Sequence, residues 1–277
     1  MKESVLSNPV TVVTSFNLDG YNLYGKEFLS TFDSMWPQTV DLEIYTSPDV
    51  PRIKLDRHNV NQVDYNLDDH KALFEFMEDW NGRVVRDGIT ANGILPNGNY
   101  AMKYDAIKFA WKTFAIIYAT YQHIDREFFW LDADTITHSP ISTHNIQEWM
   151  GHDPNVYTRY LGRSQNPKPM YSECGFVYYN ARSPIHQGFM YEWERMYVEG
   201  HVFDLPEWHD SFVYDYLVNK LLQADEHASW TAHMKNASTH PFIQIFGNWM
   251  DHRKGPRKHS RSGKHELVVG NNAEYWK

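Results

Sequence analysis

Apolar runs and amphipathic stretches alternate along the chain. Residues 10–16, VTVVTSF, form a β-branched run followed by a turn signal at Asp19-Gly20, which predicts a buried strand. In YGKEFLSTFDSMW the apolar residues Phe28, Leu29, Phe32, Met35 and Trp36 recur at helical spacing, and Pro37 ends the pattern. VDLEIYT, residues 40–46, alternates and predicts a second strand. Strand, helix, strand at this spacing is a βαβ unit, so a parallel sheet is expected. DDHKALFEFMEDW (68–80) predicts another helix, and residues 81–103, rich in Gly and Asn, a long loop. A strong helical pattern over 104–122 leads into EFFWLDADT, the next strand. GFVYYN (175–180) predicts a strand. Helices are predicted over 185–200 and 208–222, the latter with Asp210 or Ser211 as N-cap.

No repeat or linker divides this pattern. We expect one α/β domain over residues 1–277, in which about 1–135 form a nucleotide-binding half and 136–277 a second half. A chain of 277 residues buries roughly three quarters of its unfolded surface. The single cysteine, Cys174, excludes an internal disulfide framework and fits a reducing compartment. The start MKESVLSNPV lacks an apolar leader, and no apolar run approaches a membrane span. A cytoplasmic location without a transmembrane segment is therefore expected. The net charge of −9 argues against nucleic acid as a partner. Against this acidic balance, residues 252–264 (HRKGPRKHSRSGK) carry six Lys or Arg and no acid. Such a run is either a solvated loop or an anion site.

The chemistry begins at FFWLDADTIT, residues 128–137. An apolar strand ends in Asp132 and Asp134, at the edge where open α/β sheets bind ligands. In extended chain, residues two apart face the same side, so both carboxylates can meet one hard cation, Mn²⁺ or Mg²⁺. A turn in which one Asp caps a following helix is the simpler alternative. The pattern also fits the aspartyl nucleophile motif of haloacid-dehalogenase-like phosphatases. That motif usually opens its domain, however, and no downstream GDxxxD strand is present. The basic run supplies a second pattern, His252, Gly255 and Lys258, spaced H-x-x-G-x-x-K. Imidazole suits a transition metal, Gly allows close backbone approach to a phosphate, and Lys supplies a point charge.

Together the two motifs make the chain resemble GT-A nucleotide-sugar glycosyltransferases, of the glycogenin and bacterial lipopolysaccharide galactosyltransferase type. The order of elements adds to the resemblance: VTVVTSF, the Lys-bearing helix FAWKTFA, D-x-D, CGFVYYN, HDS, and the His-Gly-Lys loop. The resemblance implies a metal site of Asp132, Asp134 and His252 for Mn²⁺ or Mg²⁺. It implies a UDP-sugar donor bound by Thr14, Ser15, Phe16, Lys112, Asp132, Gly255 and Lys258, with Asp105 a weaker candidate. Sugar would pass to a glycan or other hydroxyl acceptor. Asp210 would serve as general base or as charge stabiliser at the anomeric carbon. Glu173 would contact donor-sugar hydroxyls, with a catalytic role the alternative, and Trp208 and His209 would meet the acceptor. Three departures stand out. Glu173-Cys174-Gly175 replaces Asn-Ala-Gly, Asp210-Ser211 replaces Asp-Gln, and Lys258-His259-Ser260 replaces Lys-Pro-Trp. The second leaves the stereochemical outcome open, with retention favoured. A phosphatase or a non-catalytic nucleotide-sugar-binding protein are the alternative readings.

Overall fold

A computed structural model describes residues 9–57, 59–122, 126–163, 170–234, 240–263 and 274–276. Its frame is a seven-stranded sheet. The strands stand in the spatial order His227–Ser229, Thr158–Leu161, Glu173–Asn180, Glu127–Leu131, Val10–Phe16, Val40–Thr46, Val60–Asp64. Glu173–Asn180 runs antiparallel to both neighbours; every other pairing is parallel. The fold is therefore α/β, a mostly parallel sheet flanked by helices, as the sequence predicts.

Alternation along the strands feeds two cores, one on each face. Val13, Phe128, Trp130, Val177 and Tyr179 face the helices Lys71–Trp80, Ala106–Gln122, His186–Val198 and Asp210–Leu221. Val12, Phe129, Leu131, Phe176 and Tyr178 face Lys26–Met35, Thr143–Met150 and Pro241–Phe246. Ala106–Gln122 buries ten of its residues, Ala119 and Thr120 among them, because apolar side chains nearly encircle it. No helix among the described residues is long and apolar enough to cross a membrane.

Three expectations change. Residues 81–103 do not form an open loop: Val84–Arg86 pairs with Ile89–Thr90, and Asn92–Ile94 with Tyr100–Asp105. Glycines with positive φ make those tight returns, Gly88 at +77° and Gly98 at +81°. The helix Lys26–Met35 is preceded by a π-helical turn, Tyr21–Gly25, whose Tyr24 lines a cleft at the sheet edge. The helix at 208–222 begins at Asp210 behind His209, and neither Asp210 nor Ser211 caps it; the Asp210 carboxylate is engaged elsewhere.

Candidate active site

The parallel strands Val10–Phe16 and Glu127–Leu131 end at one edge, where the antiparallel strand starting at Glu173 begins. Asp132 and Asp134 therefore share an edge with Glu173. They do not lie in extended chain as expected. Residues 132–134 turn, Thr135 N–H donates to the Asp132 carbonyl at 3.1 Å, and the chain re-enters a short strand, Thr135–Thr137. That strand pairs antiparallel with Met250–His252, setting His252 opposite Thr135, and Arg253 N–H donates to the Asp134 carbonyl at 2.9 Å. Two backbone ladders thus bring residues 120 positions apart into one cluster.

His252 Nε2 lies 2.9 Å from Asp134 Oδ1 and 3.5 Å from Asp132 Oδ2. One donor atom from each of the three falls within 4.8 Å of the others. Ligands about 2.1 Å from an octahedral ion and at right angles stand about 3 Å apart, so the spacing fits. The chemistry fits as well. Two carboxylate oxygens and one imidazole are a Mn²⁺ donor set, and His252 Nε2 is fully buried in a geometry that satisfies no hydrogen bond. His252 and Lys258 supply positive charge beside the two carboxylates. Burial disfavours the His252 imidazolium, but Asp134 and Glu173 raise its pKa to about 10. Burial likewise pushes Asp134 up, while His252 and Lys258, whose Nζ is 3.1 Å away, hold it well below the usual carboxylate range.

Beside the cluster, Lys112 Nζ sits between two acids, 2.8 Å from Asp132 Oδ1 and 2.7 Å from Asp210 Oδ2. It also donates to the Cys174 carbonyl at 2.8 Å. All three ammonium donors are occupied. Burial opposes the charge on Lys112, and the two carboxylates more than restore it. Burial pushes the Asp210 carboxyl up, and Lys112 pulls it below its ordinary range. Asp132 Oδ1 also accepts from Trp130 Nε1 at 2.6 Å, which fixes the carboxylate further.

These groups line a cleft of about 460 Å³. Tyr24, Gly255 and Lys258 also line it, as do Met102, Phe109, Tyr171 and His209. Gly255 has φ +58° and nothing near where a Cβ would stand, so its backbone faces open space. A second cavity shares Ser15, Tyr24, Lys108 and Lys112 with the first and adds Phe16, Tyr65 and Trp111.

Several expected site residues take other places. Thr14 is fully buried and lines neither cavity, whereas Ser15 and Phe16 do. An inward strand position faces the sheet, not the edge. Asp105 accepts from Lys108 N–H at 2.9 Å and Tyr100 Oη–H at 3.0 Å, which makes it the cap of the helix at 106. Trp208 is fully buried in the core against Phe203 and Tyr104. Glu173 is 1% exposed in the cleft wall, with Oε1 3.4 Å from His252 Nδ1. Arg253 forks onto Glu27 at 2.8 and 3.1 Å, so it braces the basic run against the first helix. Lys254 and Arg163 are cleft residues that the motifs do not single out. Only the surplus of cations in residues 252–264 hinted at the first.

No family model and no curated protein matches the chain. Among solved structures it is similar to mouse xyloside xylosyltransferase 1 in its apo form, at TM-score 0.48 and 13% identity over 80% of this chain and 84% of that one. It is similar to a glycosyltransferase involved in glycosylating the major capsid of PBCV-1, at TM-score 0.47 and 10% identity over 91% and 98% of the two chains. The glycosyltransferase GlyE of Streptococcus pneumoniae matches in its apo form at TM-score 0.45 and 12% identity, over 79% of this chain and 44% of that one. All three are glycosyltransferases.

Proposed function

We propose that this protein is a metal-dependent glycosyltransferase that takes a UDP-sugar and passes the sugar to a hydroxyl of a saccharide acceptor. The observation that carries the reading is the convergence of Asp132, Asp134 and His252 within 4.8 Å at the edge of a mostly parallel sheet, with Lys258 beside them. Asp132, Asp134 and His252 would hold Mn²⁺ or Mg²⁺, which supplies Lewis acidity toward a departing diphosphate. Lys258 and the open backbone at Gly255 take the phosphates. Ser15, Phe16, Tyr65 and Trp111 line the side cavity suited to the nucleoside. Met102, Phe109, Tyr171 and His209 offer the acceptor an apolar and aromatic wall.

Asp210 faces the cleft with its carboxylate held ionised by Lys112 at 2.7 Å. A carboxylate pulled below its ordinary pKa is a weak base but a good stabiliser of positive charge. That favours support of an oxocarbenium-like sugar over deprotonation of the acceptor, and so favours retention. The phosphatase reading needs Asp132 free as nucleophile and Asp134 able to donate a proton. Asp132 Oδ1 is instead held by Lys112 and Trp130, and the low pKa of Asp134 opposes proton donation.

Thermal unfolding with Mn²⁺ and a panel of nucleotide sugars tests the reading. A donor at a hundred times its Kd adds about 2.7 kcal/mol of stability. In a chain of this size that raises Tm by roughly 5–10 °C. Asp134→Asn removes the shift and the release of UDP. Hydrolysis of simple phosphomonoesters with no response to UDP-sugars overturns the proposal.

A further inference from the structure

We infer that Glu173 is the positioning residue for His252, a carboxylate behind the imidazole that sets its tautomer and aims Nε2 at Asp132 and Asp134. The inference rests on the metal site proposed above. Glu173 Oε1 lies 3.4 Å from His252 Nδ1, an ion-pair contact outside hydrogen-bond geometry, on the ring side opposite the two aspartates. A carboxylate facing Nδ1 favours the proton there and leaves the Nε2 lone pair for a cation. The same oxygen accepts from Gly175 N–H at 3.2 Å, which fixes the carboxylate to the strand edge.

An acid that is 1% exposed is costly unless it is paired. Here the pairing is built in. Lys254 Nζ is 2.8 and 2.7 Å from the two oxygens, and Arg163 Nη2 is 2.6 Å from Oε2. A side chain retained for packing alone would need no charge and no two cations to balance it. The arrangement also explains why Gly follows two residues later. A Cβ at position 175 would stand 2.5 Å from His252 Nδ1, in the space the ring uses to reach Glu173.

The test measures Mn²⁺ binding on the full chain, by the EPR signal of the free ion and by nitrogen coupling to the bound ion. Glu173→Gln keeps the shape and an acceptor atom; Glu173→Met keeps neither. Affinity is expected to fall by about 10-fold in the first and by up to about 100-fold in the second. The nitrogen coupling from His252 should weaken in the same order. Lys254→Gln and Arg163→Gln leave the carboxylate facing His252, and both should retain that coupling. Wild-type affinity and coupling in both Glu173 variants overturn the inference alone. A wild-type protein that binds no Mn²⁺ overturns the metal site itself, and the inference with it.

Discussion

Gly175 joins three parts of the site, which makes Gly175→Ala an informative perturbation. Its carbonyl accepts from Asp132 N–H at 2.8 Å, its N–H donates to Glu173, and its bare Cα gives His252 its seat. The backbone at 175 lies inside a regular strand, so Ala fits the local conformation and recovers some of the entropy that Gly loses. Sterics decide the sign. The new methyl would be 2.5 Å from His252 Nδ1 and 3.0 Å from Glu173 Oε1, against about 3.5 Å for ordinary contact. His252 is wholly buried, its ring centroid 5.2 Å from that of Phe242, so the ring has little room to retreat by the required 1 Å or so. Overpacking of this kind costs about 1–3 kcal/mol. For a chain of this length that lowers Tm by roughly 2–12 °C. The same displacement exceeds the tolerance of about 0.2 Å in metal–ligand distances, so Mn²⁺ should bind at least about ten times more weakly. Urea unfolding of the metal-free protein and a Mn²⁺ titration separate the two effects. Unchanged midpoint and unchanged affinity would show that His252 does not pack on Gly175, and the geometry of the site would have to be redrawn.

Two further outcomes follow from buried charge. Lys112→Met leaves Asp132 and Asp210 facing each other without their shared cation, and should cost about 3–5 kcal/mol in urea unfolding; a loss under 1 kcal/mol would mean that water already screens the pair. His186 is 1% exposed among Phe128, Phe189 and Tyr157, with the Tyr157 hydroxyl 3.1 Å from Nδ1, and burial alone lowers its pKa to about 4. Tyr157 stays neutral because burial raises its own pKa far above the ordinary value. The unfolded chain takes up a proton near pH 6.5 that the folded chain refuses. The contribution of His186 to stability is therefore full above pH 6.5 and declines as pH falls toward 4, by about 3 kcal/mol in all. His186→Gln should flatten the stability profile across that window, and a profile parallel to wild type would show that the ring is not held neutral.

How much of this was legible beforehand depends on whether the cause was local. The strands Val10–Phe16 and Val40–Thr46 and the helix over 106–122 are written in short-range periodicity, and the structure keeps them within a residue or two. Val60–Asp64 is not, because an edge strand buries little and carries no apolar run. The hairpins between 84 and 105 are signalled only by Gly and Asn, which a reader of sequence cannot tell from a loop. At the site the motifs named Asp132, Asp134, His252 and Lys258, and the structure places all four together. What no motif states is how they meet. The meeting depends on Thr135–Thr137 pairing with Met250–His252, two three-residue strands that no propensity rule detects. The same limit explains Glu173 and Lys112. An acid that leads into a strand reads as a ligand contact, and a helix lysine reads as free to reach a phosphate. In the structure both line the cleft and both are ion-paired there, Glu173 with Lys254 and Arg163, Lys112 with Asp132 and Asp210. Spacing shows which residue types a cation or a phosphate needs. Whether a given carboxylate would touch a cation or hold the ligand that does depends on neighbours far along the chain, such as Lys254 for Glu173, 81 residues away, and these are fixed only when the sheet edge closes.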